Sequence, residues 1–200
     1  YVGAKKLSTK IISLEGLEYI NEIRKTKENK IIVEFESNIN QFGNPVRTLA
    51  FVRFNADFTR DEEFNNGNIL TTSLSPYNSD ESTLIQNDGK LICVTEFTEF
   101  NGPPLARYNY DGSRDWTYGP IVYKKIFPSA DAFKYQLIQK QQDDKILVSL
   151  IINNKYNENN IIRFTKDGHL DLTFNLTGFS QINYPEAYSS PRNISIDTYN

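Results

Sequence analysis

The stretch Leu84-Ile85-Gln86-Asn87-Asp88-Gly89-Lys90-Leu91-Ile92-Cys93-Val94 decides the fold, because the chain repeats it. It recurs as Leu137-Ile138-Gln139, five polar residues, then Lys145-Ile146-Leu147-Val148, and a looser copy runs from Ile20 to Lys30-Ile31-Ile32-Val33. Working outward, Phe51-Val52-Arg53-Phe54-Asn55, Leu105-Ala106-Arg107-Tyr108-Asn109 and Ile161-Ile162-Arg163-Phe164-Thr165 also correspond. Each is followed by a turn and then by an Asp and an aromatic: Asp57, Asp61 and Phe64; Asp111, Asp115 and Tyr118; Asp167, Asp171 and Phe174. The arginines lie 54 and 56 residues apart, and Lys30, Lys90 and Lys145 lie 60 and 55 apart. A period near 55 residues, held over so many matched residue types, marks internal repeats.

Each unit reads as β. Lys90 to Phe97 and Lys145 to Ile152 are apolar or β-branched on both faces, as a strand between two neighbouring sheets requires. Asp88-Gly89, Asp111-Gly112 and Asp167-Gly168 are hairpin turns in which Gly supplies the positive φ and Asp caps its own turn. The second copy then predicts strands at 83–86, 90–97, 104–109 and 113–118, and Gly16 to Ile23 leads into a strand rather than a helix. In the first copy Lys27-Glu28-Asn29 and Ala56-Asp57-Phe58 lack the Gly, so those hairpins are expected to use other turn types or to strain a bulky residue. Four short antiparallel strands per unit is the pattern of propeller blades, with a β-solenoid as the competing packing. The expected architecture is all-β: a single propeller segment over 1–200, with repeats at 4–64, 65–118 and 119–174 and a partial fourth at 175–200. About three four-stranded blades cannot close a ring, since closed propellers take ~4–8. The remaining blades are expected from the same chain or from partner copies.

The pattern Gln-x-Asp-Gly-Lys-Ile-Leu-Val, then Arg-aromatic-Asn-x-Asp-Gly-Ser-x-Asp-x-x-Phe, resembles the delta-60 repeat family. The second copy matches best, through Gln86, Asp88, Gly89, Lys90, Arg107, Asn109, Asp111, Gly112, Ser113 and Asp115. The resemblance implies β-propeller-like repeats of bacterial surface, secreted and phage proteins. It implies no catalytic motif, and a propeller is a scaffold on which function is separately built.

Composition narrows the chemistry. Lys+Arg 22 against Asp+Glu 25 gives net −3, so charge draws the chain to no nucleic acid, and no apolar run reaches membrane-spanning length. One Cys and one His leave little metal or thiol chemistry, and no cofactor or metal is expected. The absence of Met suggests part of a longer chain. Arg53, Arg107 and Arg163 admit two readings: a positive rim for an anionic sugar or phosphate, or ion pairs within each repeat to a turn Asp such as Asp111 or Asp115. The loops 37–48, 98–104 and 153–160 differ between copies and carry Phe42, Asn101 and Tyr156, which are candidate binding residues for protein partners or glycans. The expected function is a non-catalytic structural or interaction module in a large extracellular, cell-surface or virion assembly, such as a phage tail or fibre. A propeller hydrolase or lyase acting on polysaccharide, with catalytic carboxylates from other blades, is the alternative.

Overall fold

A computed structural model describes residues 17–37, 48–72, 83–94, 105–118, 133–152 and 158–183. The chain divides into two compact units, Tyr1–Ser73 and Leu74–Asn200. The first holds one antiparallel sheet of β1 (Leu17–Lys25), β2 (Ile31–Ser37), β3 (Thr48–Phe54) and β4 (Leu70–Thr71), in that order. The second holds two sheets. One is β5 (Thr83–Ile85), β6 (Leu91–Val94) and β7 (Leu105–Tyr108); the other is β8 (Phe133–Lys140), β9 (Ile146–Ile152), β10 (Glu158–Phe164) and β11 (Phe179–Asn183). Every paired strand is antiparallel, and the described residues contain no α-helix. The fold is therefore all-β, with three antiparallel sheets among the described residues.

The strands with apolar residues on both faces lie inside their sheets, as their composition demands. β3 is buried along its whole length, and in β9 Val148, Ser149, Leu150 and Ile151 are all buried. In the first unit Val33, Phe35, Ala50, Val52 and Phe54 form the core. In the second, Ile92, Leu105 and Tyr118 pack with Ile138, Ile146, Val148, Leu150, Ile162 and Phe164, so its two sheets share one hydrophobic core. At about 1.5–3 kcal/mol for each buried Val, Leu, Ile or Phe, this shared core is what joins the two sheets.

One hairpin geometry recurs six times among the described residues. The N–H of Thr26, Gln86 and Gln141 donates to the carbonyl of Lys30, Lys90 and Lys145, and that of Asn55, Asn109 and Thr165 to the carbonyl of Thr59, Ser113 and His169. The fourth residue of each loop is left-handed: Asn29 at φ 61°, Phe58 at 65°, Gly89 at 80°, Gly112 at 83°, Asp144 at 62° and Gly168 at 81°. The Asp-Gly turns form with Gly at positive φ, and Asp88 and Asp111 accept the N–H two residues on, but in the third turn the His169 N–H donates to Thr165 Oγ1 and not to Asp167 as expected. The first copy keeps this turn type and places Asn29 and Phe58 at positive φ, so it takes the strained option and not a different turn.

Three details differ from the sequence reading. The equivalent of Gln86 is Gln141 and not Gln139, because both begin five-residue turns closed on a Lys carbonyl. The extra polar residues belong to the end of β8, whose register shifts between Tyr135 and Leu137. The segment 113–118 is not a fourth strand; it makes one bridge, Tyr108 to Arg114, and then turns. The fourth strand of the first and third sheets comes later, as β4 and β11, so residues 179–183, assigned to a partial fourth repeat, complete the third sheet.

Phe58 is 45% exposed and left-handed, so its ring gains little packing for the strain. Phe58→Gly is expected to raise unfolding stability by about 1 kcal/mol. Urea denaturation measures this, and an unchanged or lowered midpoint contradicts the strain.

Candidate functional site

The third strand of each sheet carries the recurrent arginine in the same register: Arg53 opposite Ile32, Arg107 opposite Ile92 and Arg163 opposite Leu147. The chain then turns and comes back, and the N–H of Asp61, Asp115 and Asp171 donates to the carbonyl of that same arginine at 3.1, 2.9 and 2.9 Å. The return brings the side chains together. Arg Nε donates to Asp Oδ2 at 2.6 Å in the first pair, 2.9 Å in the second and 2.8 Å in the third. Oδ1 of each Asp accepts the N–H two residues on, from Glu63, Thr117 and Thr173, and the Thr117 and Thr173 hydroxyls add a second bond. That turn delivers an aromatic under the guanidinium: Phe64 at 4.9 Å, Tyr118 at 4.4 Å and Phe174 at 4.9 Å. Each repeat thus holds a carboxylate, a guanidinium and a ring in one stack.

The carboxylates titrate accordingly. Burial pushes the Asp115 pKa up, but the Thr117 hydroxyl and N–H and the Arg107 guanidinium outweigh it and bring it down to about 2. Asp61 is lowered against its burial by Arg53 and Lys30, and Asp171 is lowered chiefly by the Thr173 hydroxyl. Burial raises the Tyr118 phenol. These are charges held in place rather than poised to transfer protons.

In the second unit the stack has an occupant. Arg107 Nη1 donates to the Lys166 carbonyl at 2.8 Å and to Gln86 Oε1 at 3.2 Å, and Gln86 Nε2 donates to the same Lys166 carbonyl at 2.9 Å. The hairpin turn Thr165–His169 of the third sheet is therefore seated on the Arg107 stack of the second. Gly168 lies against the Tyr118 ring so closely that a Cβ there would stand 2.9 Å from ring carbons. A second clasp lies beside it. The Asn87 N–H donates to both Asp144 oxygens at 2.9 and 3.0 Å, Asn87 Nδ2 donates to the Gln142 carbonyl, and Lys140 Nζ donates to Asn87 Oδ1 and Asp144 Oδ1.

Of the residues singled out in the sequence, Arg53 and Arg107 are buried, and Arg163, the most open, keeps 17% of its side chain exposed. All three make the ion pair within the repeat, to Asp61, Asp115 and Asp171. Asp111 serves its own hairpin instead, and Asp167 lies 3.8 Å from Arg107. Cys93 is buried and His169 exposed. Among the described residues no three His, Cys, Asp or Glu side chains converge as a metal site. Phe42, Asn101 and Tyr156 lie outside the described residues. Sequence reasoning missed Gln86 and the Lys166 carbonyl. The Gln was legible as a recurring residue, but a backbone acceptor carries no mark in a sequence.

Arg107→Ala strands a buried carboxylate and removes the bond to Lys166, so it is expected to cost about 3 kcal/mol or more. Arg163→Ala, at a more open stack, should cost about 1 kcal/mol; equal losses in thermal melts would refute the docking role of Arg107. The pH dependence has a definite sign. With a folded pKa of about 2 against an ordinary 3.8, Asp115 stabilises fully above pH about 4 and loses that contribution as pH falls towards 2. Asp115→Asn should flatten the acid limb of stability, and an unchanged acid limb in the variant contradicts this.

Two segments, residues 86–117 and 141–174, match the model of a family described as a domain of unknown function (DUF5122) beta-propeller. They begin at Gln86 and Gln141, the two residues that the hairpin bonds make equivalent. No curated protein matches the chain. The geometry and this match together support a propeller-like repeat family.

Proposed function

We propose that this chain is a non-catalytic structural and interaction module built of β-propeller repeats of the delta-60 type. One observation carries the reading: the charged residues that recur in every repeat, Arg53, Arg107 and Arg163 with Asp61, Asp115 and Asp171, are bonded to one another inside the scaffold. Their regular spacing along the chain serves the scaffold of each repeat, and at Arg107 also the joint between two sheets, which leaves recognition to the loops that vary. In this reading about three four-stranded blades form part of a larger ring, completed by further blades of the same chain or of partner copies. The module works in an extracellular, cell-surface or virion assembly such as a phage tail or fibre. Phe42, Asn101 and Tyr156, on loops between the second and third strands, contact the protein partner or glycan.

The test is a paired assay of the full-length protein against a polysaccharide panel, read for binding and for release of reducing ends or unsaturated products. Binding without turnover is expected, weakened by Phe42→Ala, Asn101→Ala or Tyr156→Ala at unchanged melting temperature. Specific cleavage that disappears on removing carboxylates would overturn the reading in favour of a propeller hydrolase or lyase.

A further inference from the structure

The second and third sheets present the same stack, and among the described residues only one of the two is filled. In the filled one, Gln86 Oε1 accepts from Arg107 Nη1, both side chains hold the Lys166 carbonyl, and the Tyr118 ring is 4% exposed beneath Gly168. The counterparts in the third sheet are Gln141, Arg163 and Phe174. Arg163 Nε and Nη2 are taken by Asp171 and Thr173, while Nη1 has no bond among the described residues. Gln141 Oε1 is buried and has no hydrogen-bond partner among the described residues. Phe174 is only half-buried. The Arg–Gln bond that flanks the carbonyl in one copy is not made among the described residues of the other, and the ring that is covered in one copy is half-buried in the other.

We infer that Gln141, Arg163 and Phe174 form an open socket for a glycine-bearing hairpin turn of another repeat of this type. The occupant is specified by the filled copy. It offers a backbone carbonyl two residues before a left-handed glycine, as Lys166 stands before Gly168, and the glycine is required twice over. Its φ of 81° favours a residue without Cβ, and any Cβ would meet the ring. This requirement selects among turns. The equivalent turn of the first sheet, Asn55–Thr59, carries Phe58 at that position, and its ring would occupy the space where Phe174 must lie. A second copy of the chain offering that turn is thus a poor occupant, and an Asn-x-Asp-Gly or Thr-x-Asp-Gly turn is a good one. The inference rests on the reading of the chain as a repeat scaffold and adds the chemistry by which the next repeat is recognised.

The experiment titrates the 200-residue chain, isotope-labelled on side-chain nitrogens, with an unlabelled hairpin peptide carrying residues 160–172 and closed by a disulfide between cysteines added at its ends. Saturable shifts are expected at Arg163 Nε–H and the Gln141 amide, with Arg107 Nε–H unmoved. A peptide with Gly168→Phe should produce no shift. Gln141→Leu in the chain should weaken the peptide by about tenfold, the loss of the hydrogen bond from the Gln141 amide to the peptide carbonyl. Gln141→Leu leaves the Arg163–Asp171 pair in place and removes an unpartnered buried oxygen, so its melting temperature should hold, whereas Gln86→Leu should lower it. Three outcomes overturn the inference: no shift at millimolar peptide, equal shifts with the Gly168→Phe peptide, or an Arg163 already covered by self-association of the chain. None of these bears on turnover of polysaccharide, so failure here leaves the scaffold reading standing, and cleavage in the earlier assay leaves the socket standing.

Discussion

One guanidinium organises the second unit. Arg107 is planar and permanently charged, and its donors fan out in fixed directions. Nε is held by Asp115, Nη1 reaches the Lys166 carbonyl, and its face lies over Tyr118. The first contact closes a turn within one sheet, the second joins that sheet to the next, and the third shields both from water. Beneath it Ile92, Leu105, Ile138 and Val148 pack in the core that the two sheets share. A lysine would supply the charge but not the three directions.

The fold was legible because its strands and turns leave marks in residue type. Apolar runs at Leu91–Val94 and Ile146–Ile152 became inner strands, and Asp111-Gly112 became a turn with its Asp accepting from Ser113. What escaped was governed by bonds that side chains do not announce. Leu-Ile-Gln at 84–86 and at 137–139 points to Gln139 as the copy of Gln86, whereas the turn is fixed by a backbone bond from Gln141 to Lys145. The segment 113–118 alternates like a strand, yet Asp115 captures the Thr117 N–H and hydroxyl and bends the chain away. The Arg–Asp pairing was among the readings open from sequence alone, through Asp115. The seat of the Lys166 carbonyl was not, since residue type at 166 is irrelevant to it.

The six hairpins also separate two roles that glycine usually plays at once. The left-handed position is filled by Asn29, Phe58 and Asp144 as well as by three glycines, so the turn itself tolerates a side chain at some energetic cost. Glycine becomes obligatory where a ring presses on the turn, Tyr118 of the neighbouring sheet at Gly168 and Tyr110 of the same sheet at Gly89. Asp144 shows a third solution: from the left-handed corner its partly buried carboxylate receives the Asn87 N–H. Residue choice at this position therefore reports what lies outside the hairpin more than the hairpin's own geometry.

The stack also dictates an order of assembly. The Arg107–Asp115 bond spans eight residues along the chain, whereas the bonds from Arg107 and Gln86 to Lys166 span 59 and 80. Short loops close at little entropic expense and long ones later, so each sheet can organise its own guanidinium before the next sheet exists. During synthesis the chain beyond Arg107 must grow by a full repeat before its partner carbonyl emerges. The spacing of these bonds separates what a sheet can close by itself from what it can close only together with its neighbour.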